Sequence, residues 1–258
     1  MPANDPVRQV LWWLCLVMAP AILAGMELFH PSGFTNQPGM YEFLSHSHGH
    51  DPQYWALAYF GPNWWLTLHM IQTPVVGLVS VGLWLTVGGI GREDGAIAWV
   101  LSWLARASIF VFLIYYTVLD SVGGIGLGRS ILTVQNLVAD GKLSQAQFEG
   151  AVLLLNTLWL DPIVGGVGSF VSLTGPWAVL FASIFIAAAL AITGRAPWPA
   201  LLLLLGFGWQ LYTSHASLHG PIAFGLLIVA SLWMWWWQGR QKANPVERPL
   251  MPSVSPGP

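Results

Sequence analysis

The chain has 258 residues, 55% hydrophobic and only 8% charged, where soluble domains carry about 25% charged residues. This composition excludes a soluble globular enzyme, a disordered chain and a nucleic-acid binder, and it points to a polytopic membrane protein. The formal net charge of −2 carries less information than the placement of the basic residues.

In chain order, six apolar stretches are long enough to cross a hydrocarbon core of about 30 Å. They are 10–29, 64–87, 107–128, 170–193, 198–218 and 221–238. The first follows Arg8 and contains Ala19-Pro20-Ala21, which looks like a signal-peptidase site. The run continues past it to Phe29, so it reads as an uncleaved first helix. Cys15 lies inside this run and is the single cysteine. It excludes an intrachain disulfide framework and reads as a small buried residue. The third stretch is bracketed by Arg106 and Arg129, with Asp120 the one charge between them. The last two are joined at His219-Gly220-Pro221, which predicts a tight helical hairpin.

Six spans put Arg8, Arg92, Arg106, Arg195, Arg240, Lys242 and Arg248 on one side, and Arg129 and Lys142 on the other. By the positive-inside rule both termini are cytoplasmic. The expected fold is therefore an all-α, multi-pass bundle of the cell membrane. Residues 1–240 form one transmembrane domain, and 241–258, rich in Pro and Ser, form a disordered cytoplasmic tail. Residues 144–170 are the ambiguous piece. Ser144-x-x-Gln147 is a capping box and Asp161-Pro162 a stop signal, which predicts an interfacial or re-entrant helix over about 145–160 and a Gly-rich turn after it. The alternative is a seventh span, which would carry the C-terminal basic cluster outside against the charge rule.

Ionisable residues within spans need a reason to be there. Glu27 and His30 close the first span, His69 and Asp120 lie within the second and third, and His215 and His219 close the fifth. The six-span topology brings all of them to the outer end. Glu27-x-x-His30 and His215-x-x-x-His219 have i,i+3 and i,i+4 spacing, so on a helix each pair shares a face. Two imidazoles at i,i+4 suit one metal ion. The set predicts a metal site on His30, His69, His215 and His219, with Asp120 and Glu27 as candidate catalytic carboxylates that ligate, orient an imidazole or act as a base. The ion is divalent Zn, Fe or Cu.

Two further features lie nearby. His46, His48 and His50 alternate in a loop, a pattern that collects metal. Tyr54, Trp55, Tyr59, Phe60, Trp64 and Trp65, like Trp235-Trp236-Trp237 at the other end, read as interfacial belts. The run Gly124-x-Gly126-x-Gly128 lets a helix or a flat cofactor approach closely.

His69, Asp120, His215 and His219 stand in an order that resembles membrane hydrolases of the alkaline ceramidase and adiponectin-receptor type. Those enzymes combine an intramembrane His, an Asp and a late H-x-x-x-H pair around zinc. They have seven helices and a Ser four residues before the first His, where this chain has Trp65. The likeness covers four residues, and it implies that such a set can build a hydrolytic zinc site in a bilayer.

Four functions follow as expectations. The first is a membrane metalloenzyme acting on a lipid or other small apolar substrate. The others are a haem-binding electron-transfer protein, a metal carrier, and an accessory subunit of a membrane-protein partner.

Overall fold

The computed structural model describes residues 5–31, 39–47 and 56–243, the side chains of 241–243 excepted. His48, His50, Tyr54, Trp55 and the tail from 244 onward lie outside the described residues. Regular structure among the described residues is helical: α1 (Pro6–Glu27), α2 (Met40–Ser45), α3 (Pro62–Thr86), α4 (Ala96–Ala139), α5 (Gln145–Trp159), α6 (Phe170–Ile192), α7 (Trp198–Thr213) and α8 (His219–Ala243). The protein is an all-α, multi-pass membrane bundle. Helices α1, α3, α4, α6 and α8 are each long and apolar enough to cross a bilayer.

The sixth expected span is shorter than its sequence pattern. Helix α7 has 16 residues, about 24 Å at 1.5 Å per residue. It packs between α6 and α8, and the six long helices form a closed ring in chain order: α1 on α3, α3 on α4, α4 on α6, α6 on α7, α7 on α8, and α8 back on α1. The connections over 87–95, 193–197 and 214–218 are short, which makes neighbours antiparallel. The ring core holds Trp12, Leu16, Leu83, Phe112, Ile186 and Phe224, all fully enclosed. Large side chains on the outer face, such as Met18, Met70, Phe110 and Leu202, are exposed, as lipid-facing positions should be.

Two helices contain π turns. In α1 the turn is Leu14–Met18, just ahead of Pro20. An interior proline clashes with the carbonyl four residues back, here that of Leu16, and a widened turn relieves the clash. In α4 the turn is Asp120–Gly126. That helix runs 44 residues, about 66 Å and twice the hydrocarbon thickness. It therefore continues well past the 107–128 stretch at both ends.

The extension of α4 beyond the π turn belongs to a cap. Helix α5 is capped by Ser144, whose hydroxyl accepts from the Gln147 N–H while the Gln147 side chain accepts from the Ser144 N–H. It has 15 residues and packs against α2 and residues 127–139 of α4. It is a cap helix and not a seventh span. Met40, Phe43, Leu44, Tyr59, Trp65, Ile131 and Leu155 form a second apolar core there. Tyr59 and Trp65 are therefore buried and not part of an interfacial belt: Tyr59 stacks on Phe43, with ring centroids 5.0 Å apart. Phe60 remains exposed. At the opposite end Trp235 packs on Trp12 and Arg240 lies over the Trp236 ring.

The Arg-rich end is stapled around the α3–α4 turn. Arg8 donates to the Leu85 and Gly88 carbonyls, Arg106 to the Val87 carbonyl, and Arg195 to the Gly89 carbonyl and both oxygens of Asp94. Asp94 accepts from the Gly91 N–H and sits beside the Arg195 guanidinium, which together hold its carboxyl below the ordinary 3.8. A depressed folded value stabilises the fold above the ordinary value, and this is lost as pH falls through the depressed one. The thermal midpoint of wild-type protein should therefore fall in acid below 3.8 more steeply than that of Arg195→Ala, read by thermal unfolding in detergent across that range. At Gly82 an added Cβ would lie 2.7 Å from the Leu16 side chain and 2.9 Å from the Cys15 carbonyl oxygen. A backbone oxygen cannot swing aside, so Gly82→Ala should destabilise by about 1–3 kcal/mol in a denaturant titration.

Candidate functional site

The end opposite the arginine staples holds the polar residues. Helix α1 stops at Glu27, and the His30 N–H closes a turn on the Glu27 carbonyl at 3.2 Å. Glu27 is 0% exposed. Gly220, opening α8, lies directly against it: a Cβ there would come within 2.9 Å of the Glu27 side chain. His69 lies in the second turn of α3, and Asp120 opens the π turn of α4.

The imidazoles of His30, His69 and His215 meet. Ring centroids are 5.2 Å apart for His30 and His69, and 5.0 Å for His30 and His215, both edge to face. His69 also packs on Trp65, and His215 on Tyr116. Gly124 makes the approach of His69 possible, since a Cβ there would overlap the imidazole. The Gly124/Gly128 pair thus admits His69 and Trp65 from α3.

The ring nitrogens have assigned roles. His69 Nδ1 is 2.7 Å from the Trp65 carbonyl oxygen, and His30 Nδ1 is 2.8 Å from the Pro31 carbonyl oxygen. A carbonyl only accepts, so each Nδ1 carries the proton and donates. In the neutral ring each Nε2 is then the acceptor nitrogen, and that of His30 is buried without a partner among the described residues. Asp120 Oδ2 is 3.3 Å from the Thr73 hydroxyl, which is closer, at 2.8 Å, to the His69 carbonyl. Its Oδ1 has no hydrogen-bond partner among the described residues, nor do both Glu27 oxygens, while the Tyr116 hydroxyl and the Gln72 side chain face each other at the same end. Most buried polar side-chain atoms in proteins are hydrogen-bonded, so this concentration of bare donors and acceptors at one end is unusual.

Beside them lies a cavity of about 450 Å³, lined at its polar end by His30, His69, Asp120 and His215 and elsewhere largely by apolar groups such as Trp65 and Leu211. Its size is that of small-molecule sites. Glu27 does not line it and is fully enclosed, with Gly220 against its side chain.

His219 departs from expectation. The predicted helical pair with His215 does not form, because α7 ends at Thr213 and α8 begins at His219. Ser214 is extended, and its hydroxyl accepts from the Ala216 N–H at 3.1 Å. Ser217 has φ of 62°, and its N–H donates to the His30 carbonyl. His215 therefore sits on a loop pinned to residue 30, while the His219 ring pairs with Gln210 Oε1 at 2.7 Å and does not line the cavity. The tight hairpin at 219–221 is replaced by this loop. His46 is exposed, with Nδ1 against Ser45 and the Glu42 carbonyl.

As placed, no group of three or more His, Cys, Asp or Glu among the described residues is set to hold a metal ion. Tyr116 and Trp159 were absent from the sequence-derived set. Tyr116 stands four residues before Asp120, one helical turn away on the same face, and that spacing was the available signal. No family model matches the chain, and no curated protein or solved structure matches it.

Gly124→Ala should displace the His69 ring and cost about 1–3 kcal/mol. Gly150→Ala, with open space around its Cβ, should instead stabilise α5 by about 0.5–1 kcal/mol. Thermal unfolding of the two variants side by side checks both.

Proposed function

We propose that the protein is a membrane metalloenzyme in which His30, His69 and His215 hold one divalent ion and act on a small apolar substrate in the adjoining cavity. The observation that carries this reading is the pinning of His30 and His69 through Nδ1–H to backbone carbonyls. That arrangement fixes the tautomer and turns Nε2 out as a ligand, as the backbone does for metal-binding histidines. The ring spacing agrees: two imidazoles bound at about 2.0–2.1 Å to one tetrahedral ion carry their centres about 5 Å apart. A bare buried carboxylate costs several kcal/mol, and a cation among the histidines offsets that cost at Glu27 and Asp120.

A divalent ion there supplies Lewis acidity or redox chemistry. The chain's own residues do the rest. Asp120 lines the cavity and is the group placed to take or give a proton toward bound substrate, with Thr73 holding its Oδ2. Glu27 is fully enclosed and balances charge from there. Trp65 and Leu211 exclude water from the substrate's apolar part. In this reading the Arg-rich end faces the cytoplasm of the cell membrane, and the site opens at the outer leaflet.

A haem held between two imidazoles needs them on opposite faces of one macrocycle. His30 touches both His69 and His215 edge to face, which leaves no such gap in either pair.

Elemental analysis of protein purified without chelator tests the reading. Wild type should carry near-stoichiometric Zn, Fe or Cu. His30→Ala, His69→Ala and His215→Ala should each lose metal affinity about tenfold or more, while His219→Ala and His46→Ala keep it. Glu27→Gln should lower metal content. Metal-free wild type, or equal loss in His219→Ala, overturns the reading.

A further inference from the structure

A second cavity, of about 330 Å³, lies between the π turn of α4 and α5. It shares Gly123, Trp159 and Gly166 with the first and is walled further by groups such as Leu127, Leu155 and Val164. No ionisable side chain lines it, whereas the first cavity gathers its ionisable groups at one end. Trp159 is the plate between the two. A Cβ at Gly166 would overlap its indole, and one at Gly123 would lie 3.6 Å from it. Glycine at 166 is what lets the ring stand there, and at 123 the ring keeps ordinary contact distance.

Among the described residues, the face around this second cavity is apolar and exposed. Leu153 (69%), Leu160 (70%), Ile163 and Val167 are exposed on α5 and the turn after it, and Leu158, which lines the cavity, is half exposed. So much exposed apolar surface on a non-spanning helix fits one that lies in the membrane interface with its apolar face in the acyl region. The mouth of the second cavity then opens on hydrocarbon.

We propose that the second cavity binds the alkyl tail of a single-chain lipid drawn from the bilayer, with the molecule's polar end reaching past Trp159 to His30, His69 and His215. This deepens the reading of the histidine end as a site for an apolar substrate, and it names the substrate class and its lateral entry. Charge supports it: the route carries no ionisable side chain until the histidines. Entry does not work against burial either, since exchange from lipid into the cavity leaves the tail in a similar medium.

The test is photolabelling of the full chain in detergent with hexadecanol carrying a mid-chain diazirine, followed by peptide mapping. Label should concentrate within 121–130 and 155–166. Ser130→Phe and Leu158→Trp each fill the second cavity from its rim without touching the histidines, and each should cut labelling there about tenfold. Two independent variants guard against a folding defect, which thermal unfolding also reports. Label spread evenly over the lipid-facing helices, or unchanged in both well-folded variants, overturns the proposal. Metal content separates the two readings. Labelling that follows this pattern in metal-free wild type sustains the tail site while the metal reading fails. Metal bound normally with labelling spread evenly does the reverse.

Discussion

A carboxylate with no access to solvent, in a bundle whose outer face meets hydrocarbon, is the constraint on which the histidine end depends. Glu27 sits where α1 stops, and a charge there is costly unless other groups answer it. The fold gathers polar groups at that end from four places: His30 from the turn after α1, Gln72 and His69 from α3, Tyr116 and Asp120 from α4, and His215 from the α7–α8 loop. The closed ring of six helices makes this convergence possible, because it holds α1, α3, α4 and the α7–α8 loop side by side at that level. The arginine staples work at the opposite end. They tie the α3–α4 turn to α1 and to the α6–α7 turn, so the ring is closed rigidly at one end and left to enclose a cavity at the other.

Close approach in the site relies on glycine and on a widened turn. The π turn of α1 has a proline to explain it. That of α4 has no proline nearby, and it coincides with Asp120, Gly123 and Gly124. π turns frequently mark functional sites because they re-aim side chains at the expense of regular hydrogen bonding. Here the turn carries Asp120 into the cavity while Gly124 clears the space that the His69 ring fills. Tyr116, Asp120 and Gly124 follow one another at intervals of four, so one stripe of α4 supplies a phenol, a carboxylate and a vacancy.

The spans were legible because lipid demands about 20 apolar residues in a row. Glu27, His30, His69, Asp120 and His215 were legible because such residues are rare within those rows. The error at His219 has a local cause. The segment Ser214–Leu218 contains no Gly or Pro, so apolar continuity carried the fifth helix through it. The overlooked signal was serine at 214 and 217: a short hydroxyl that bonds its own backbone two residues on competes with helix, as Ser214 does with Ala216. The belt assigned to Tyr59 and Trp65 failed for a different reason. Whether an aromatic at the interface meets lipid or protein depends on what covers it. The cap is built from α2, the end of α4 and α5, which lie far from those residues in sequence.

The cap also fixes where the cavity lies. The protein has two apolar cores, one within the ring and one within the cap, and α3 passes through both. Trp65 belongs to the cap core, while His69, one turn on, faces the cavity. The indole of Trp65 donates to the Gly123 carbonyl in the π turn of α4, so the same residue closes the cap and fixes the turn that presents Asp120. A site at a seam between two cores gains walls from both without requiring a void inside either. That arrangement permits a cavity of about 450 Å³ in an otherwise close-packed bundle, since packing to interior density is satisfied separately on each side. It also places the exposed apolar face of α5 beside the seam.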